Sequence, residues 1–242
     1  MTTTVRATAT TRVPMDFARK AALVAGIFYL VTFISSIPAA LILLPPVLDN
    51  PDYIVSAGAD TRVIWGCFLD VVNALAGIGT AVALFPVVKR QSEALALGFV
   101  TTRMMEAAVI MIGVVSLLAV VTLRQDLAGA ADADAATLVT TGQALVAVRD
   151  WTFILGPGLM AALNALLLGS IMYRSRLVPR IIPTMGLIGA PLLLAATTAT
   201  LFGYTEPFSV WANLATLPVA AWELSLGVWM VVKGFKPSPI TS

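Results

Sequence analysis

Six long stretches of the chain run almost without charge: Ala21–Leu44, Val63–Val87, Leu95–Leu123, Gln143–Tyr173, Ile181–Gly203 and Val210–Val232. Each is near-continuous in Leu, Val, Ala and Ile, without the apolar/polar alternation of a membrane β-barrel strand. A helix crosses the hydrocarbon with about 20 mostly apolar residues, and all six stretches meet that length. The pattern predicts an all-α polytopic membrane protein, a bundle of six transmembrane helices. The fourth stretch is long for one crossing. Either its start, through Thr141 and Gln143, projects beyond the bilayer, or the helix bends at Gly156-Pro157. The first follows Arg19-Lys20, but its apolar run outlasts the roughly 7–15 residues of a signal peptide and reads as an uncleaved span.

Residues 1–18, rich in Thr and Ala, read as a flexible cytoplasmic tail, residues 19–236 as the transmembrane domain and residues 237–242 as a second cytoplasmic tail. The direction of threading follows from the basic residues. With the N-terminus inside, the cytoplasmic segments hold Arg6, Arg12, Arg19, Lys20, Lys89, Arg90, Arg174, Arg176, Arg180, Lys233 and Lys236, which is 11 of the 15 basic residues. The opposite loops hold Asp49, Asp52, Asp60, Asp126, Asp132, Asp134 and Glu206 against only Arg62 and Arg124. That asymmetry, with an even number of spans, places both termini in the cytoplasm.

Composition narrows the field further. The chain is 59% hydrophobic and 12% charged, about half the roughly 25% charge of a soluble domain. A soluble fold and a disordered chain are both excluded. The absence of histidine removes zinc–His sites, haem–His ligation and Ser–His or Cys–His nucleophile pairs. Cys67 stands alone, so no intrachain disulfide is expected, and a net charge of +2 makes no case for nucleic acid.

What remains is the charge inside the spans, where each ionised residue costs about 3 kcal/mol or more. Asp70 and Asn73 share one face of the second span, as Arg103 and Glu106 share one face of the third. The fourth span carries Arg149, Asp150 and, deeper, Asn164; the sixth carries Glu223 beside Trp222. At a rise of about 1.5 Å per residue, these groups from four spans fall within a layer ~10 Å thick near mid-membrane. Tyr29, Thr32 and Ser36 form a milder polar stripe on the first span. Four carboxylates face two guanidiniums, so two carboxylates lack a cationic partner. A carboxylate left alone at that depth carries a proton or attracts a cation. Two explanations stay open: the charges pair across helices as structural glue, or they line a cavity.

The stretch Gly158-Leu-Met through Leu-Val-Pro-Arg180, the following Gly186-Leu-Ile-Gly189, the Arg103-Met-Met-Glu106-Ala segment and Ala25-Gly26-Ile-Phe-Tyr29-Leu resemble the bacterial membrane family catalogued as domain of unknown function 4386. The resemblance covers about residues 17–236 and implies a multi-pass protein of the bacterial cytoplasmic membrane. It carries over no activity and no catalytic residue.

Three functions follow from the residues. The first is a cavity for a hydrophobic, lipid- or isoprenoid-like molecule, with membrane lipids as neighbours. In it Arg103, Asn73, Tyr29, Arg149, Asp150, Asn164 and Trp222 bind, and Glu106, Asp70 and Glu223 exchange protons. An enzymatic version is acid-initiated cyclisation or isomerisation, with Trp222 stabilising a carbocation. The second is a proton- or cation-coupled transporter, in which Glu106 and Glu223 hold corresponding positions in two inverted halves. The third is a structural or accessory role, the charged layer holding a homo-oligomer together. No metal and no cofactor are expected.

Overall fold

A computed structural model describes residues 16–56, 58–126 and 135–238. The expected N-terminal tail up to residue 15, Asp132, Asp134 and the last four residues lie outside the described part. Among the described residues there is no strand, and six helices are long and apolar enough to cross a membrane: α1 (Phe17–Leu43), α2 (Asp60–Val88), α3 (Glu93–Asp126), α4 (Ala135–Ser175), α5 (Ile181–Leu201) and α6 (Val210–Val232). The chain is a polytopic helical bundle. Large apolar side chains such as Ile34, Leu41, Ile181 and Val210 stand on its outside. A membrane, unlike water, makes that arrangement favourable.

The fourth helix resolves its own length. It runs through residues 135 to 175 as one element and changes winding at Ile154–Met160, a π-helical stretch that contains Gly156, Pro157 and Gly158. Pro157 has no N–H to donate, so the normal ladder cannot pass through it. A wider turn absorbs the defect, and such turns gather at functional sites. At Gly156 a Cβ would lie 3.2 Å from the Val109 side chain, so its absence lets α3 and α4 approach closely. A second π-helical stretch, Ala39–Leu43, follows Pro38 at the far end of α1.

The two ends of the described chain, near Arg19 and Lys236, lie on one face of the bundle. Arg19 donates to the carbonyls of Met230 and Val231, both at 2.7 Å, and the Lys236 N–H donates to the Leu177 carbonyl at 2.8 Å. Those bonds satisfy two carbonyls that the end of α6 leaves open. Nearby, α1 and α6 touch backbone to backbone: a Cβ at Gly26 would sit 2.8 Å from the Gly227 carbonyl oxygen. Trp222 lies flat on Gly186 of α5, where a Cβ would meet its ring at 2.7 Å.

The opposite face is closed by the segment between α1 and α2. It makes one helical turn at Pro45–Leu48 and another at Tyr53–Val55. Arg124 of α3 holds it in place, donating to the Ser56 carbonyl at 2.9 Å and to the Asp60 carboxylate at 2.5 Å. Tyr53 donates to the other oxygen of Asp60 at 2.8 Å. Arg124, an outer charge by its place in the sequence, is thus a clamp on this segment.

Candidate functional site

The charges predicted for the middle of the bundle meet there. On α3, one turn separates Arg103 from Glu106, and their side chains pair at 3.0 Å. The other terminal nitrogen of Arg103 donates to the carboxylate of Glu223 on α6 and to the Tyr29 hydroxyl on α1, the latter at 3.3 Å. Its guanidinium also lies 5.3 Å from the Tyr29 ring centre and 5.8 Å from that of Phe99. The carboxylate oxygen of Glu106 that meets Arg103 also accepts from the Asn164 amide at 2.7 Å, and the Asn164 carbonyl accepts from Thr102 at 2.5 Å. Four helices, α1, α3, α4 and α6, are tied through this one guanidinium and its acceptors.

A second pair stands beside it. Arg149 of α4 donates to Asp70 of α2 at 3.0 Å and stacks over Phe153 at 5.1 Å. Its aliphatic stem lies against Gly113 of α3. A Cβ there would come within 2.4 Å of the Thr152 hydroxyl and 2.8 Å of the Arg149 Cδ. Glycine at 113 is what leaves room for the arginine. Arg103, Glu106, Asp70 and Arg149 are exposed by only 4, 8, 5 and 7%. The Nε of each arginine is buried without a hydrogen-bond partner.

These pairs do not fill the interior. They line a cavity of about 480 Å³ together with Asn73 and Glu223, a volume within the roughly 300–1,000 Å³ of small-molecule sites. Thr32 and Ser36 of α1, Thr152 of α4 and Thr216 of α6 add hydroxyls to its wall. Phe33, Ile37, Leu41, Phe153, Pro157 and Leu217 make the rest of it apolar. The Asn73 side chain lines the cavity and has no hydrogen-bond partner among the described residues. Close packing of α1 and α6 at Gly26 and Gly227 gives way to this cavity toward the far face, where Thr32–Leu41 and Thr216–Glu223 stand on either side. Ile37 and Leu41 on one flank and Leu217 on the other are exposed to the outside of the bundle.

Sequence and structure part company at several residues. Tyr29 and Asn164, expected to bind, are 1% exposed and lie behind the cavity, where they hold Arg103 and Glu106 instead. Trp222 does not line the cavity; its ring is packed on Gly186, and a carbocation in the cavity would not meet it. Asp150 leaves the cluster altogether. Successive helical residues point about 100° apart, so with Arg149 turned inward Asp150 faces a separate pocket of about 320 Å³ beside Tyr53, Ile54 and Gln143. It makes no ion pair among the described residues. Arg149 pairs instead with Asp70 on α2. The expected surplus of two carboxylates falls to one at the cavity: Asp70, Glu106 and Glu223 against Arg103 and Arg149. Phe153 and Thr152 were missed. Only the placement of Arg149 on α4, three to four residues from each, could have pointed to them.

Among the described residues, no three His, Cys, Asp or Glu side chains come together as a metal-binding group. No curated protein and no solved structure matches the chain. A family model does match, over residues 24–234, which include every charged residue of the cavity; the chain belongs to the family described as Domain of unknown function (DUF4386).

Proposed function

We propose that the cavity binds an amphipathic small molecule taken from the bilayer. One observation carries this reading: a cavity with charged residues at mid-bundle and apolar walls lies where α1 and α6 part. The polar head sits among Asn73, Glu106, Arg149 and Glu223. The chain runs past Phe33, Ile37 and Leu217 toward lipid. The ion pairs themselves argue for glue as well as for a site, but glue needs no cavity. Packed interiors close over spaces of this size, since lost dispersion contacts are costly.

The threading inferred from the basic residues puts the face that bears Arg19 and Lys236 in the cytoplasm, so the cavity lies toward the outer half of the membrane. The aromatic faces available inside are those of Phe33 and Phe153.

Photolabelling tests the site. A long-chain alcohol carrying a diazirine labels every lipid-facing helix, whereas a cavity ligand also labels inward positions. The expected result is labelling of the segments that carry Glu106 and Glu223, suppressed by excess unlabelled alcohol and by Ala220→Trp, which fills the cavity from α6. Labelling confined to outward-facing residues, insensitive to competitor, overturns the proposal.

A further inference from the structure

The charge balance of the cavity points to the chemistry of its occupant. Five ionisable side chains from four helices line it: Asp70 on α2, Arg103 and Glu106 on α3, Arg149 on α4 and Glu223 on α6. Two guanidiniums face three carboxylates. Arg149 is matched one to one with Asp70, while Arg103 alone serves both Glu106 and Glu223. The surplus negative charge therefore belongs to the Glu106–Glu223 pair. The other groups packed against that pair are the Tyr29 hydroxyl, which accepts from Arg103, and the amide of Asn164, which donates to Glu106. Neither supplies a positive charge. Among the described residues, no lysine and no further arginine lines the cavity.

An uncompensated charge at mid-membrane is among the most costly arrangements a protein can hold. A proton shared between Glu106 and Glu223 removes it, and so does a single cation. Both glutamates line the cavity, so an occupant reaches them directly. An anionic head finds no unpaired cation, because Arg149 is matched by Asp70 and Arg103 by Glu106 and Glu223. We propose that the occupant is a cationic amphiphile, an apolar chain with one positively charged amine at its head. The amine binds between Glu106 and Glu223 in exchange for the proton they hold when the cavity is empty. This rests on the reading of the cavity as an amphiphile site and names the class of molecule. The exchange balances: one N⁺–H group enters, and one proton leaves the carboxylate pair for bulk water.

Calorimetric titration of the whole protein in lipid nanodiscs tests both steps. The probes are octylamine, 1-octanol and octanoate, with empty nanodiscs subtracted for partitioning. Octylamine, like a lysine side chain of pKa about 10.4, stays protonated across the neutral range, so its own charge does not change during the test. The expected order is octylamine far above 1-octanol, with no binding of octanoate. Repeating the titration in buffers of different ionisation enthalpy is expected to show one proton released per amine bound.

Glu223→Gln equalises the charges at two against two. It is expected to abolish proton release and bring octylamine down to the affinity of 1-octanol. Glu106→Gln provides the same test from α3 should the first variant fail to fold. If 1-octanol binds as well as octylamine without proton release, the amphiphile site stands and the cationic head is overturned. If none of the three probes binds, the site itself fails.

Discussion

Removing Arg103 should unbalance the bundle more than any other single change in the layer. Arg103→Met keeps the length and apolar stem of the side chain and deletes the guanidinium. Glu106 and Glu223 are then left facing each other without a counter-charge, and the Tyr29 hydroxyl loses its donor. Breaking a buried ion pair by deleting one partner costs about 3–5 kcal/mol, whereas replacing the whole set by neutral groups costs little. Here the deleted cation serves two carboxylates, but Glu106 keeps the Asn164 amide and the cavity admits some solvation. The expected loss is therefore about 3 kcal/mol, at the lower end of that range. The triple variant Arg103→Met, Glu106→Gln, Glu223→Gln should recover most of it, to within about 1 kcal/mol of the unaltered protein. The assay is reversible unfolding in mixed micelles by increasing the mole fraction of a denaturing detergent, followed by far-UV circular dichroism. A single variant as stable as the parent refutes the pairing. So does a triple variant no more stable than the single.

Other parts of the structure give further outcomes. Gly113→Ala places a methyl group against the Arg149 stem and the Thr152 hydroxyl, so it should weaken cavity binding several-fold while unfolding shifts by about 1–3 kcal/mol; photolabelling and detergent unfolding read the two effects. Gly26→Val forces α1 from α6 at their closest approach and should destabilise by a similar amount, about 1–3 kcal/mol. At the far face, burial first and then the bond to Asp60 hold the Tyr53 phenol above its ordinary value of 10.0. A raised value in the folded state means stability that is fully present below pH 10 and is lost as the pH rises beyond it. The free energy of unfolding measured across that range should fall for the parent and stay flatter in Tyr53→Phe.

The spans were legible because a bilayer imposes its thickness on composition: all six helices fall where the uncharged stretches lie, within a few residues at most ends. Depth was legible too. Counting residues from the basic ends put Asp70, Arg103, Glu106 and Glu223 in one layer, and the structure brings all four to one cavity. Azimuth was not. Nothing in the run Arg149-Asp150 says which of two adjacent charged residues faces inward; that depends on Gly113, 36 positions before Arg149 on another helix, leaving a slot for a guanidinium. Trp222 failed for the same reason, since proximity to Glu223 along the chain turns the two side chains toward different neighbours. The clamp of Arg124 on Asp60 and Ser56 joins residues more than sixty positions apart, beyond the reach of any local pattern.

The central claim, that the interior of this bundle holds an amphipathic molecule, is tested most directly by weighing the protein. Native mass spectrometry of the chain extracted from its membrane in a mild nonionic detergent should show the parent with one small-molecule adduct that survives delipidation. Ala220→Trp, equally folded, should be seen without it. A parent mass equal to the bare polypeptide, or an adduct retained unchanged in Ala220→Trp, contradicts the account.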